Sequence, residues 1–499
     1  MKMDYLSNYD KSDPKSIELY AQKLRGKTFQ QVLDDDKSDD KENANNRGDL
    51  GQLIERHHFH YACNNDSNPD FAEAGVELKV TPFKKNKNDT YSAKERLVLT
   101  KINYHEIVHE LFETSHMWRK SRLILLIYYL YQKNIGKRYD YEIKYSKLFI
   151  PPEEDVLIIK KDFETIVEKV KLGRAHEISE RDTMYLSACT KGAKGSDRTS
   201  QPYSDALAKP RAFSFKTSYM TYILNSYIIP GKDTYIKVAD CNELKKESFE
   251  DVLKRKLSVY EGMYESQILK LLNLNINEKN KGYASILVCN MLGVKSTRVE
   301  EFAKAGIVVK IIKYCKNKAN NQHLRLEDFR FKDLDDEEFD DEILDPDTQE
   351  PVGWEDSELY DYVKNRKYLF VVFWEEQDGS VFKGSQLWGM PDEDAEIVHT
   401  GWNKLKRIVR EGVRLQPKRY GKGIHIENNL PGITDNGVFH IRPHAKNSYY
   451  ELNGGMTYGN GTISDSDVLP DGRRLTKQAY WLNRNYIDSQ INDELKKEY

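Results

Sequence analysis

From Phe163 to Leu172 the apolar residues recur every three or four positions, which places Phe163, Ile166 and Val170 on one face of an amphipathic helix. Val76 to Pro82 alternates between apolar and polar residues, as a half-buried strand does. Leu97 to Ile102 and Leu123 to Tyr129 are segments of strand length rich in apolar residues and are expected to be buried strands. Ser16 to Leu33 and Leu50 to His57 carry helical patterns. Strands mixed with helices in this way predict an α/β fold. The longest apolar stretch, Leu123 to Tyr131, holds three tyrosines and is half the length of the ~20 residues that a bilayer-spanning helix needs, so no membrane span is expected.

The pattern also repeats. Residues 70–79 read DFAEAGVELK and residues 301–310 read EFAKAGIVVK, identical at five of ten positions. FETIVEKVKLG at 163–173 and WNKLKRIVREG at 402–412 share apolar positions (Phe163/Trp402, Ile166/Leu405, Val170/Val409) and a final glycine. A third pair is RAFSFKTSYMTYI from Arg211 and KQAYWLNRNYIDSQI from Lys477. Three pairs in the same order predict a duplicated domain with growing insertions. The expected division is a first domain over 1–232, a linker over 233–250 and a second domain over 251–499.

The length of 499 residues suits two such domains. Charged residues make up 31% and hydrophobic residues 39%, a globular balance. The five cysteines are odd in number, widely spaced and without a CxxC pair, which argues against disulfides or a zinc site. The opening MKMDYLSNYDKSD has no apolar core of a secretion signal, so a cytoplasmic location is expected. The net charge of −3 announces no nucleic-acid partner, but the charge is patchy. Asp34–Glu42 and Asp333–Asp347 are acidic, while Lys404–Lys422 holds eight Lys and Arg residues against a single Glu. Such a basic patch suffices to neutralise phosphates locally.

Candidate chemistry concentrates in the first copy. Glu77 and Lys79 lie two apart on a predicted strand and project from one face, while Val76, Leu78 and Val80 enter the core. Asp70, arriving from the preceding turn, meets them. Two carboxylates with phosphate oxygens and water suit Mg²⁺, a hard ion that prefers oxygen ligands. Lys79 is placed to orient or activate an attacking water. The order D-x6-E-x-K is that of PD-(D/E)xK nucleases, although in so charged a chain the bare triad also arises as a salt-bridged surface strand.

The flanking residues add specificity. LGQLIE (50–55), DFAEAGVELK (70–79), FETSHMWRK (112–120), LGRAHEISERDTMYL (172–186) and, in the second copy, FHIRPHAKNS (439–448) resemble MutH, the mismatch-repair nicking enzyme. They resemble more closely the duplicated MutH-like type II restriction endonucleases that cut at GATC. The resemblance implies two tandem restriction-endonuclease-like domains of the PD-(D/E)xK, MutH type, each a mixed β-sheet flanked by helices. It implies Mg²⁺-dependent hydrolysis before the G of double-stranded GATC. Asp70, Glu77 and Lys79 form the catalytic core, Glu55 is a helix carboxylate at the metal, and Lys120 is a second lysine near the scissile phosphate. His116 is expected to be structural.

In the second copy Asp70 becomes Glu301, Glu77 becomes Val308, and Lys79 is kept as Lys310. Glu55 falls near Cys289. A valine cannot ligate a metal, so residues 251–499 are expected to bind DNA without cutting it. Arg442, Pro443 and His444 match the loop with which MutH-type proteins read their site, and an arginine there can bond bidentately to guanine. At the aligned place the first copy has Cys189, Thr190 and Lys191, leaving Lys191 as the residual DNA contact. The family's adenine-facing tyrosine falls on Ser214 and Trp481, so discrimination against methylated sites does not carry over. The resemblance further implies a monomer that pairs on DNA, with the second domain as effector, and a cognate GATC methyltransferase as genetic partner. A mismatch-repair GATC nickase and a non-catalytic GATC-binding or methylation-sensing protein remain the alternatives.

Overall fold

The computed structural model describes residues 9–36, 50–61, 68–86, 88–132, 135–191, 197–229, 231, 234–315, 322–337, 354, 357–421 and 423–497. Gly192, most of the acidic run 34–42 and the segment 338–353 fall outside them. The described residues form two compact units. The first comprises 9–252 together with 298–307, and the second comprises 253–297 and the remainder from 308 onward.

In the first unit the strands are β1 (Glu77–Lys85), β2 (Tyr91–Ala93), β3 (Leu97–Lys101), β4 (Ile124–Leu130), β5 (Glu142–Phe149), β6 (Leu186–Thr190), the short pair β7 (Thr199–Gln201) and β8 (Ser204–Ala208), and β9 (Arg211–Phe215). The larger sheet has the order β2-β1-β4-β5. It is mixed: β1 runs parallel to β4, with Glu77 opposite Ile124, and β4 runs antiparallel to β5. Residues Ile124 to Tyr128 are wholly buried, as the continuous apolar run requires of a central strand. Leu78, Leu125, Ile127 and Ile143 pack under the N-terminal helices through Ile17, Leu24, Phe29 and Ile54. A second sheet, β3-β9-β6, completes the unit.

Several predicted elements are redrawn by local chemistry. The helix expected over Ser16–Leu33 is two helices, Pro14–Ala21 and Phe29–Asp35. Gly26, at φ +81°, breaks them apart and donates its N–H to Ile143 O. Leu50–His57 begins as an α-helix over Leu50–Leu53 and widens into a π-turn over Ile54–His58. The amphipathic helix starts earlier than its apolar period suggested and spans Glu153–Lys171.

The stretch 233–250 is not a free linker. Val238 and Ala239 are buried and donate their N–H groups to the Glu301 carboxylate. Lys304, 1% exposed, pairs with Asp155 at 2.5 Å and Glu300 at 2.6 Å. A buried ammonium is tolerated only with such partners, and together these bonds hold 298–307 in the first unit. The sequence repeat and the compact units are therefore not cut at the same residues.

The second unit contains β10 (Ile307–Cys315), which enters it at Val308, β11 (Leu324–Phe329), β12 (Lys367–Glu376), β13 (Gly379–Trp388), β14 (Leu415–Tyr420), β15 (Gly423–Asn428), β16 (Phe439–Pro443), four short strands β17 (Tyr450–Glu451), β18 (Thr457–Tyr458), β19 (Ser466–Val468) and β20 (Arg474–Thr476), and β21 (Gln478–Leu482). Its sheets β10-β12-β13 and β11-β21-β16 repeat the neighbour order of β1-β4-β5 and β3-β9-β6. Gly262, also at φ +81°, donates to Phe382 O as Gly26 does to Ile143 O. Ser357 caps its helix through Tyr360 N as Ser115 does through Trp118 N. Phe163 and Trp402, paired from sequence, are both buried on long helices that come after the third strand of their sheets.

One buried carboxylate fixes where β6 lies. Asp162, on the long helix, accepts N–H bonds from Met184, Tyr185 and Leu186 at 2.7–2.9 Å. Asp162→Ala orphans three buried donors, each worth about 1–3 kcal/mol. The variant should lose about 3–5 kcal/mol in urea denaturation; an unchanged midpoint would show that β6 holds its place without this anchor.

Candidate active site

The site is built on the first residues of β1. Glu77 N–H donates to Leu123 O at 3.0 Å, which fixes the start of the strand against β4. Just before it the chain makes a tight loop in which Phe71 and Val76 exchange backbone hydrogen bonds. Gly75 closes the loop at φ +66°, and Gly306 in the second copy adopts φ +65°. The loop returns Asp70 to the strand, where its Oδ2 accepts the Leu78 N–H at 2.8 Å. Alternation then sets Glu77 and Lys79 on one face, as the spacing predicted.

Glu77 is 2% exposed and sits between two ammonium groups. Lys79 Nζ is 3.0 Å from its Oε1 and Lys120 Nζ is 3.5 Å from its Oε2. Lys120 arrives on the helix His116–Ser121, whose N-cap is Ser115. His116 pairs with Glu110, in keeping with a structural role. Glu77 Oε2 is buried and accepts no hydrogen bond. A buried carboxylate oxygen with unused lone pairs is a vacancy for a cation or a donor. The donor set, two carboxylates at a desolvated spot, fits a hard divalent ion.

Burial, with the negative fields of Glu77 and Glu55, pushes the Asp70 carboxyl up to about 6, against the pull of the Leu78 N–H and Lys79. Glu55 projects from the π-turn, a helix irregularity common at functional sites. Among the described residues no three His, Cys, Asp or Glu side chains gather into a metal-holding set. Asp70 and Glu77 remain the nearest candidate ligand pair, and the Glu55 carboxylate lies close enough to act on Asp70 through its field.

Tyr61 went unnoticed in the sequence. Its N–H donates to Glu55 O at 3.2 Å, and its ring lies edge-on to Phe71 at 5.3 Å. Its hydroxyl is buried without a partner. Burial and the charges of Asp70, Glu55 and Glu77 push that phenol far above its ordinary pKa, so it keeps its proton. A lone tyrosine between His60 and Ala62 carries no periodic signal; only the fold brings it here.

In the second copy this chemistry is gone. Glu301 accepts from Val238 and Ala239. Val308 packs on the apolar core. Lys310 donates to Arg325 O at 2.9 Å, and burial brings its ammonium down to about 8. By the common serine cap, Tyr362 stands where Lys120 does, a further loss. Cys289 is buried.

The residues expected to read DNA lie on the second sheet. Cys189 lies opposite Ala212, and Arg442 opposite Ala479. Ser214 lies opposite Ser187, and Trp481 opposite His440. The sheet registers thus match the sequence pairing of Cys189 with Arg442 and of Ser214 with Trp481. Arg442 is exposed, with its guanidinium 5.6 Å from the Trp481 ring centre. Pro443 is exposed, and His444 Nδ1 lies 2.9 Å from Asp328. In the first unit Cys189 is buried, and Lys191, half-buried, ends the strand with its N–H on Pro210 O.

A sequence model of the family described as DNA mismatch repair enzyme MutH matches residues 59–162, the span that holds Tyr61, Asp70, Glu77, Lys79 and Lys120. The chain is 37% identical over 455 residues to the type II restriction enzyme Sau3AI of Staphylococcus aureus, covering 86% of this chain and 89% of that enzyme. This chain belongs to the MutH-like type II restriction enzymes. It is a restriction endonuclease, a nuclease that acts on DNA. MutH of Shewanella woodyi is 29% identical over 182 residues, 36% of this chain and 76% of that protein. MutH of Vibrio campbellii is 26% identical over 217 residues, 42% of this chain and 92% of that protein. A MutH-sized protein thus accounts for under half of this restriction enzyme. Nucleases of the family generally depend on a divalent metal. No helix among the described residues is long and apolar enough to cross a membrane.

Because folding raises the Asp70 pKa from 3.8 to about 6, its ionised form weakens the fold. That penalty is absent below the unfolded pKa and complete above the folded one. Asp70→Asn, melted in EDTA, should be more stable than the parent by on the order of 1–2 kcal/mol at neutral pH. The gain should shrink as the pH falls from about 6 and vanish well below 3.8, where the carboxyl is neutral in both folded and unfolded chains. A gain that does not change with pH would place its origin elsewhere.

Proposed function

We propose that this enzyme cleaves double-stranded DNA before the G of GATC in a Mg²⁺-dependent reaction carried out in the first unit. The observation that carries the reading is Glu77: buried at the head of β1, one oxygen accepting no hydrogen bond, flanked by Asp70 and two lysines. Asp70 and Glu77 hold the ion. When bound, Mg²⁺ supplies charge neutralisation at the phosphate and lowers the pKa of water. Lys79 Nζ, held by Glu77 Oε1, orients the attacking water by hydrogen bonding. Lys120 places a positive charge where the phosphate gains negative charge. Tyr61 keeps its O–H pointed at the carboxylates and excludes bulk water behind them. The products carry 5′-phosphate and 3′-hydroxyl ends.

The reading extends to architecture. The chain is two tandem PD-(D/E)xK, MutH-type domains, the second catalytically silent because Val308 and Tyr362 replace a ligand and a lysine. Arg442, Pro443 and His444 read a second GATC, with the Arg442 guanidinium braced on Trp481, and Lys191 is the first domain's contact. The enzyme is a monomer that pairs on DNA, with the second domain as effector. A cognate methyltransferase protects the host's sites. Repeat of the sheet order across both units favours this reading over a mismatch-repair nickase, since the MutH relatives match under half of the chain.

The test is digestion of unmethylated plasmid carrying several GATC sites, with Mg²⁺ or EDTA. Discrete fragments ending at GATC are expected with Mg²⁺ alone. Glu77→Gln and Lys79→Ala in the full chain should each lower the rate by at least about 1000-fold. Nicking without fragments would turn the assignment toward a repair enzyme, and Ca²⁺-supported binding without cleavage toward a sensor. Arg442→Ala should weaken GATC binding by about 1–3 kcal/mol without altering binding to unrelated duplex; equal losses on both would remove Arg442 from base reading.

A further inference from the structure

Half of the basic run Lys404–Lys422 belongs to a helix whose cations are engaged: Lys404 pairs with Asp435, Lys406 donates to Glu337 O, and Arg410 meets Asp335. The other half enters β14 and β15, a two-stranded ribbon that joins no larger sheet. The first unit has no counterpart. Between the end of its long helix at Lys171 and β6 it makes only the short turns Ala175–Glu177 and Glu180–Asp182.

The register divides the ribbon's side chains. Leu415, Pro417 and Arg419 share one face with Asn428, Ile426 and Ile424. At the base of that face Leu415 and Ile426 are buried in the core of the second unit. At the outer end the same face leaves the core: Ile424 is 59% exposed, and Arg419, directly opposite it, is exposed with no ion-pair partner among the described residues. The other face carries Lys418, in an exposed pair with Glu427, and His425. From Arg414 to Asn428 the sequence holds four Lys and Arg residues and one Glu. The base of the ribbon abuts the reading strand, since Ile441, next to Arg442, donates its N–H to Pro431 O at 2.8 Å.

An anchored ribbon with a bare cation and a bare aliphatic side chain at its tip has the chemistry of a groove-binding arm. Arginine is drawn to the negative potential of a narrow minor groove, and aliphatic side chains wedge against base steps there. We propose that the β14–β15 ribbon is a DNA arm of the second unit, seating Arg419 and Ile424 in the minor groove beside the site that Arg442 reads, with Lys418 turned to the backbone. The arm gives the silent copy a grip that the catalytic copy lacks. This inference rests on the reading of the second unit as DNA-binding.

The test uses the full chain, Ca²⁺ in place of Mg²⁺, and two duplexes with one GATC each: one ending a few base pairs outside the site, the other flanked by a full helical turn on both sides. The variant is Arg419→Gln with Ile424→Ser, and its melting temperature is compared with the parent's. The variant should bind the long duplex about 10-fold or more weaker, with a salt dependence flatter by about one unit of log–log slope. It should bind the short duplex as the parent does. Equal affinities and slopes on the long duplex would overturn the arm. A loss on both duplexes with a lowered melting temperature would also overturn it, by assigning the ribbon to the core. Arg442→Ala serves as the second arm of the experiment. If it leaves both duplexes unaffected while the ribbon variant still loses the long one, the base-reading assignment fails and the arm stands.

Discussion

The candidate site depends on one costly arrangement, a carboxylate kept almost wholly out of water at the first residue of a strand. Glu77 is tolerable there because Lys79 and Lys120 approach it from either side. Truncation of any member of such a group leaves the others as uncompensated buried charge. The parallel pairing of β1 with β4 sets the depth of Glu77, the Gly75 loop returns Asp70 to its side, and the serine-capped helix aims Lys120. Asp70 is held toward its neutral form by the same crowding. A divalent cation held there, as proposed, would relieve the repulsion between these carboxylates.

Release of that constraint has reshaped the second copy. With Val308 in place of Glu77 the strand needs no counter-charges, and Val308 joins the apolar core. The retained Lys310 loses its carboxylate partner, turns to a backbone carbonyl, and is pushed toward the neutral form by burial. Glu301, at the position of Asp70, accepts two backbone N–H groups from Val238 and Ala239. The scaffold outlasted the chemistry because sheet order, glycine turns and helix caps rest on backbone hydrogen bonds that the lost carboxylates never served. What the second copy gained, the guanidinium of Arg442 over Trp481 and the ribbon beyond the long helix, lies on surfaces that the first copy uses differently.

Much of this was legible in the order of residues. Strands β1, β3 and β4 were found with ends within three residues, because apolar period is set by which face meets the core. The three internal matches suggested a duplication, and the strand registers pair Ser214 with Trp481 as the third match does and Cys189 with Arg442 as the aligned loops do. Asp70, Glu77 and Lys79 were read from spacing, since a strand's alternation by itself puts Glu77 and Lys79 on one side. The break at Gly26 was missed because a single glycine in a helical pattern signals a turn only when a distant carbonyl, that of Ile143, receives its N–H. The packing of 233–250 escaped notice for the same reason: its polar, turn-rich residues look solvated until the Glu301 carboxylate, some sixty residues on, accepts the Val238 and Ala239 N–H groups.

The sequence alone thus determined what depends on neighbours a few positions apart: the period of the elements, the repeat pattern, Glu77 and Lys79 on one face of β1, and the valine that stands at the Glu77 position of the second copy. Only the tertiary structure decided what depends on groups remote along the chain. It set Lys120 against Glu77, buried the Tyr61 hydroxyl within the fields of three carboxylates, and assigned residues 298–307 to the first unit. Burial and electrostatic fields act through space, and the strength of a charge, a donor or a metal ligand is set by how much water the fold removes around it.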